Sequence, residues 1–312
     1  MKVKRLIKLI ISLILLALVL RLADLRALKE TLLAIPVSTA ITVVLGYLAG
    51  QVLSSYKWWR IAKAGGIDVP YSVALKSYFI GMFVNSFGMG LVGGDVARGV
   101  LLAHGKQVKT AALASVVADR AQGLAVLALL GTLSAALLEP HGMHPDLVFI
   151  LLAIGVVILC GWFAGPKLLL KFVKPGNKLR DKAEQVSKMF PHKRSEFIII
   201  TTLSITFHLL QIALHWVMAH GIGIEISFGT LLVAIPFVNM FSSLPISWNG
   251  LGVREYSYAT FLSGIITNEQ AVALGAIWLV AITITSAIGG IVAFITKDFS
   301  VYLKKESLAS SA

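Results

Sequence analysis

Acidic side chains are scarce in this sequence: 15 Asp and Glu stand against 28 Lys and Arg, and charged residues fill only 14% of its 312 positions. A soluble domain carries about a quarter. Long hydrophilic stretches are missing too. The longest, residues 166–196, is about thirty residues, short of a folded soluble domain. The single cysteine, Cys160, permits no internal disulfide, and its apolar surroundings read as packing. No H-E-x-x-H pattern or cysteine cluster is present, so no metal and no cofactor is expected. What remains is 57% hydrophobic residues, arranged in runs of about twenty, the length of a spanning helix. The chain is therefore an all-α polytopic membrane protein. A net charge of +13 could mean nucleic acid in a soluble chain. Here the basic residues sit in short loops between apolar runs, where they set orientation and meet anionic lipid headgroups.

Six runs read as full spans: 6–22, 31–53, 110–138, 147–164, 197–219 and 269–296. The first is an uncleaved span, because Asp24, Leu25 and Arg26 stand where a signal cleavage site needs small residues. Lys8 and Arg21 snorkel from it to the two interfaces. Lys2, Lys4 and Arg5 place the N-terminus in the cytoplasm, and Lys297, Lys304 and Lys305 place the tail there. "YKWWRIAK", with Lys57, Arg60 and Lys63 beside Trp58 and Trp59, reads as a short interfacial helix on the same face. The loop 166–196 is also cytoplasmic, with nine basic residues against three acids. "EPHGMHPD" and "SGIITNEQ" contain no Lys or Arg and read as external. Two further apolar runs, 72–92 and 228–246, conflict with this pattern. A full crossing at 72–92 would put Lys106 and Lys109 outside. A helical hairpin that turns near residues 88–94 removes the conflict. A second, over residues 228–262, turns near 242–252. The expected architecture is about six full spans plus two re-entrant helical hairpins. Eight ordinary transmembrane helices are the alternative.

The two hairpin sequences are alike. "FVNSFGMGLVGGDVARGVLL" (83–102) and "FVNMFSSLPISWNGLGVREYSY" (237–258) share FVN-x-F and place Arg98 and Arg254 after a run of small residues. Residues 1–138 and 139–297 thus form an inverted repeat, with a cytoplasmic tail at 298–312. Paired broken segments in such repeats mark a substrate site near the midplane. Gly88, Gly90, Gly93 and Gly94 permit a sharp turn, as do Ser242, Ser243, Pro245, Ser247, Asn249, Gly250 and Gly252. Both turns offer amides to an anion. Arg98 and Arg254 would reinforce such a site, since guanidinium matches phosphate bidentately. The other reading makes the turns packing devices and pairs these arginines locally with Asp95 and Glu255.

Asp119 and Arg120 lie about nine residues into their span, roughly 13 Å deep. Neighbours on a helix point about 100° apart, so each should meet a hairpin residue instead of the other. Lining of the site and a structural ion pair are both open for them. His208, Gln211 and His215 fall on one helix face, as a polar stripe that lines a cavity or packs.

"GLVGGDVARGVLL", "ASVVADRAQGLAVLALLG" and "LPISWNGLGVREYSYATFL", with "KWWRIAK" upstream, resemble the transmembrane family of lysylphosphatidylglycerol synthases over roughly residues 5–300. The resemblance implies a multi-pass cell-membrane protein that moves lipids between leaflets. By position Asp95, Arg98, Asp119, Arg120, Arg254 and Glu255 carry the family's charged motif residues, and Asn249 lies in the same block. The chain ends at Ala312 without the soluble aminoacyl-transfer domain, so enzymatic synthesis is not expected of it. The expected function is flippase-like movement of an anionic or phosphate-bearing lipid, of aminoacyl-phosphatidylglycerol, polyprenyl-phosphate sugar or hopanoid type. Asp119 and Glu255 would hold the arginines when the site is empty. Two alternatives remain. One is a lipid-modifying enzyme using Asp95, Asp119 or Glu255 as acid or base. The other is a non-transporting partner of a glycosyltransferase or lipid synthase. Membrane lipids are the expected partner, and nucleic acid is not.

Overall fold

A computed structural model describes residues 24–88, 90–103, 108–174, 176–191 and 193–296, with Ile10 and Ala17. The expected span at 6–22 and its flanking charges, Lys106, and the tail from residue 297 lie outside the described residues. The described chain is helical throughout, and its one β feature is an isolated bridge between Ser263 and Ile266. Helix α1 (Leu25–Leu33) is capped by the Asp24 carboxylate, which accepts from the amides of Arg26 and Ala27. Pro36 separates it from α2 (Val37–Ala64). Then come α3 (Tyr71–Phe83), a π-helical turn (Val84–Gly88), α4 (Gly90–Leu102) and α5 (Lys109–Leu137). The second half runs α6 (Pro145–Phe172), α7 (Lys178–Ser187), α8 (Arg194–Gly221), α9 (Phe228–Ser242), α10 (Val253–Phe261) and α11 (Asn268–Thr296).

Five helices are long and apolar enough to cross a membrane: Val37–Ala64, Lys109–Leu137, Pro145–Gly165, Arg194–Gly221 and Asn268–Thr296. They answer to five of the six expected spans. The one at 31–53 is displaced, because Pro36 starts a new helix that continues through Gly46 and Gly50 and stops only at Gly65 and Gly66. "YKWWRIAK" is therefore the last part of α2 and not a separate interfacial helix. Neither 72–92 nor 228–246 is a single helix of spanning length. α3 has 13 residues and α9 has 15, against about 20 for a crossing. Cys160 is exposed on α6 and not packed inside.

The helices share two ends. α2 and α8 are antiparallel, with Thr39 against Gly221, Gly50 against Phe207, and Arg60 bound to Glu196. At the end defined by Arg60 and Glu196 also lie Ile67, Val69, Leu102 and Ala103, packed with Trp58 and Ala62. α3 starts and α4 finishes at this basic end. At the opposite end, the Thr230 hydroxyl donates to the His141 carbonyl, and Gly142 abuts Ile265. α9 starts and α10 finishes there, beside the two loops that lack Lys and Arg. Each short helix pair thus begins and ends at one end of the bundle, and the two pairs come from opposite ends.

Packing repeats between the halves. α3 packs on α11 and α9 on α5, so each short pair is held by the last long helix of the other half. α5 and α11 have 29 residues each, and in both a glycine sits at the same register. A Cβ at Gly131 would come within 2.7 Å of the Phe237 ring, and one at Gly290 within 2.6 Å of the Phe83 ring. These are the phenylalanines that open the two FVN-x-F blocks.

Since Phe237 is fully buried, its ring has no free space to yield. Gly131→Val is expected to destabilise the protein by about 1–3 kcal/mol through overpacking, and Gly290→Val, which faces the partly exposed Phe83 ring, by less. Gly161→Val, where nothing lies within 4 Å, should leave melting in detergent unchanged. Equal melting of all three variants would disprove this packing account.

Candidate functional site

The tips of the two short pairs meet inside the bundle. The Trp248 indole donates to the Ser86 carbonyl at 3.3 Å, and the Ser86 hydroxyl donates to Ser286 on α11 at 2.9 Å. Between the tips and helices α2, α5, α8 and α11 lies a cavity of about 430 Å³.

One wall is a chain of charges. Lys57 Nζ is 3.0 Å from Asp119 Oδ1 and donates to Gln122 Oε1 at 3.0 Å. Asp119 Oδ2 accepts from both terminal nitrogens of Arg98 at 3.1 Å. Arg98 Nε donates to Asp95 Oδ1 at 3.1 Å, and Asp95 accepts two bonds from Arg120 at 3.0 Å. Each carboxylate is therefore shared between two cations. Lys57, Arg98 and Asp119 are 3%, 4% and 6% exposed, so this pairing is what makes their burial tolerable. The Arg98 guanidinium also lies 4.8 Å from the Trp58 ring and 5.2 Å from the Tyr78 ring, a cation–π arrangement. As expected, Asp119 and Arg120 each meet a residue of the first short pair and not one another.

The opposite wall comes from the second pair. Residues 243–252 are irregular, and Asn249, Gly250 and Gly252 take positive φ of 53°, 77° and 79°. Gly250 packs so closely that a Cβ would lie 3.0 Å from the Ser242 carbonyl and 3.1 Å from Arg254 Nη2. Arg254 is 7% exposed. Its side chain has one hydrogen bond among the described residues, from Nη1 to the Asn249 carbonyl at 3.4 Å. Arg254 Nε, Ser242 Oγ and Ser247 Oγ are buried with no partner among them. The expected hold of Glu255 on Arg254 is not there. Glu255 Oε2 accepts from the Gly252 amide at 2.6 Å and caps α10, while its side chain fills the space that Gly275 leaves on α11.

Of the residues singled out in the sequence, Asp95, Arg98, Asp119, Arg120, Asn249, Arg254, Pro245, Gly250, His208 and Gln211 line the cavity. Glu255, Gly252 and His215 do not. His215 is committed to the Tyr258 hydroxyl and the Gln211 carbonyl, both at 2.7 Å, with its ring 4.3 Å from that of Trp278. Gly90, Gly93 and Gly94 lie within α4, and the first turn is the π segment ending at Gly88. Gly94 instead packs against Gly81 and binds the Asn85 amide oxygen. Lys57, Gln51, Ser54 and Tyr78 also line the cavity and were not foreseen. Their signal is the recurrence of Gln51, Ser54 and Lys57 every three residues in a stretch with no helix breaker.

Among the described residues, four lysine and arginine side chains and two carboxylates line the cavity. The wall is completed by apolar groups such as Leu124, Leu127, Phe207 and Ile282. The arrangement can hold an anion at Arg254 while the three facing cations share two carboxylates.

The chain matches no curated protein. The family model of the lysylphosphatidylglycerol synthase TM region matches residues 5–290, which takes in all eleven described helices but for the last turns of α11. The protein is a multi-pass membrane protein that belongs to the lysylphosphatidylglycerol synthase transmembrane-region family, a family tied to membrane lipids.

Proposed function

We propose that the protein moves a phosphate-bearing lipid between the leaflets of the cell membrane, with the headgroup passing through the cavity. The observation that carries this reading is Arg254. A buried guanidinium with no carboxylate beside it is costly, and a ligand anion supplies what the protein withholds. Ser242 and Ser247 add two unpaired hydroxyls. The left-handed backbone at Asn249 and Gly250 is of the kind that turns successive amides toward an anion. Together these groups have the chemistry of a phosphate seat. A cavity of about 430 Å³ suits a headgroup, with the acyl or prenyl chains left in the bilayer.

The fold supports movement as well as binding. The two short pairs enter from opposite ends, as re-entrant hairpins of an inverted repeat would. The matched glycine–phenylalanine contacts join the two halves, 1–138 and 139–297, to each other by the same device at two places. Such a scaffold can open a central site to either side in turn. A lipid-modifying enzyme working through Asp95, Asp119 or Glu255 draws less support, because the first two are each held by two cations and the third is a helix cap. Reconstitution of the chain alone tests the remaining alternative, a partner subunit without transport of its own.

In vesicles carrying fluorescent phosphatidylglycerol, loss of signal to a membrane-impermeant quencher reports movement. Arg254→Met and Arg254→Lys are both expected to slow it by at least about tenfold, since lysine keeps the charge but lacks the fork. Arg254→Met should melt no lower than the wild type, because it removes a charge that the protein leaves unpaired. Transport at the wild-type rate in Arg254→Met would rule the proposal out. Asp119→Asn is the converse: it leaves Lys57 without a carboxylate and Arg98 with Asp95 alone, and should destabilise the fold by about 3–5 kcal/mol.

The basic end should face the cytoplasm. With Cys160→Ser as background, Thr267→Cys is expected to react with an impermeant thiol reagent in intact cells and Lys182→Cys is not. The reverse labelling pattern would invert the topology.

A further inference from the structure

Resting on the phosphate seat at Arg254, we propose that the cavity selects lipids whose phosphate carries an uncharged, hydroxyl-bearing headgroup, and that it rejects cationic aminoacyl headgroups. Two observations lead there. The first is the state of the carboxylates. A lysyl headgroup brings two ammonium groups, and each wants a free carboxylate in a dry site. Asp95 and Asp119, the two carboxylates on the cavity wall among the described residues, already hold two cations apiece. Glu255 faces away into its cap. A cationic headgroup would therefore meet the ammonium of Lys57 and the guanidiniums of Arg98 and Arg120 with no anion to spare.

The second observation is His208. It lines the cavity from α8 at 6% exposure, its ring meets the Gly123 backbone, and it has no side-chain hydrogen-bond partner among the described residues. With one ring nitrogen turned to that backbone, the other is left to pair with a hydroxyl, which can donate or accept. Gly123 keeps the approach clear: a Cβ there would lie 3.7 Å from Lys57 Nζ and 3.9 Å from His208 Nε2. Beside it on the wall, Gln211 and Asn239 share only a long bond of 3.4 Å, so their amides are free to turn toward a polyol. The cavity thus has a phosphate end at Arg254 and a neutral hydrogen-bonding end at His208. A glycerol or sugar phosphate would satisfy both.

The test is competitive retention of lipids by the purified full-length chain, read by native mass spectrometry. The panel is phosphatidylglycerol, phosphatidic acid, lysyl-phosphatidylglycerol and a glucosyl diacylglycerol that has hydroxyls but no phosphate. Phosphatidylglycerol is expected to be retained over lysyl-phosphatidylglycerol by about tenfold or more, as like charges at close range in a protein interior require. The glucosyl lipid should be retained weakly. His208→Leu should narrow the preference for phosphatidylglycerol over phosphatidic acid. If lysyl-phosphatidylglycerol is retained as well as phosphatidylglycerol while Arg254→Met still loses both, the inference fails and the phosphate seat survives. If Arg254→Met retains phosphate lipids like the wild type, the seat fails and the inference goes with it.

Discussion

The run of ion pairs from Lys57 through Asp119, Arg98 and Asp95 to Arg120 sets the position of the helices around it. Each member is costly to bury alone in a membrane protein, and each is tolerated because its neighbours sit within about 3 Å. The geometry is demanding. Asp119 and Arg120 are consecutive and point about 100° apart, while Asp95 and Arg98 are one helical turn apart on a single face. Acid on α5 meets base on α4 and base on α5 meets acid on α4, so a shift of one residue along either helix would turn these side chains about 100° away from their partners. Lys57 then ties α2 to the same point. A local charge pattern thus fixes the register of three helices and leaves the first short pair with little freedom to move.

The two arginines that stand at matching places in the two pairs have opposite circumstances. Arg98 is held by two carboxylates and two aromatic rings. Arg254 has a long bond to a backbone carbonyl. The glutamate that could have neutralised it is spent on the Gly252 amide. The glycine–phenylalanine contacts recur while the charges do not. One wall of the cavity is a finished network, and the other is unfinished in a way that a phosphate would complete.

Much of this could be read from the sequence, and the parts that could not share a cause. Span lengths were legible because apolar runs of about twenty residues have few other uses. The short pairs were legible from a conflict of charge placement at Lys109 and from the broken segments themselves. Lys57 was misread as interfacial. Beside Trp58 and Trp59 it has the local composition of a membrane-surface anchor, and its partner Asp119 lies 62 residues away. Local composition cannot separate a snorkelling lysine from a buried one when the deciding contact is that remote. Glu255 was misread for the opposite reason. Its neighbour in sequence was taken as its partner, yet the third position of a helix that opens on glycine is where a glutamate reaches back to the first amides. Gly90, Gly93 and Gly94 were assigned to a turn because glycine permits one. It also permits close approach of two backbones, and the contact of Gly94 with Gly81 and Asn85 is of that second kind.

The transport proposed above needs parts that hold and parts that yield, and the packing and the ion pairs point to which are which. The joint at Gly131 faces the fully buried Phe237 ring, and the ion pairs lock α4 to α5. Motion that kept these intact would carry each short pair together with the long helix that grips it. The freedom then falls at the meeting of the tips, where residues 243–252 are irregular and the Trp248 to Ser86 bond is long. The orphaned Arg254 Nε and the hydroxyls of Ser242 and Ser247 belong to or border that same segment. A ligand that fills those vacancies acts on the part of the fold that is cheapest to rearrange. In the proposed mechanism, its differential affinity for two arrangements of the tip would shift the balance between them, and the missing partners at the tip would couple binding to movement.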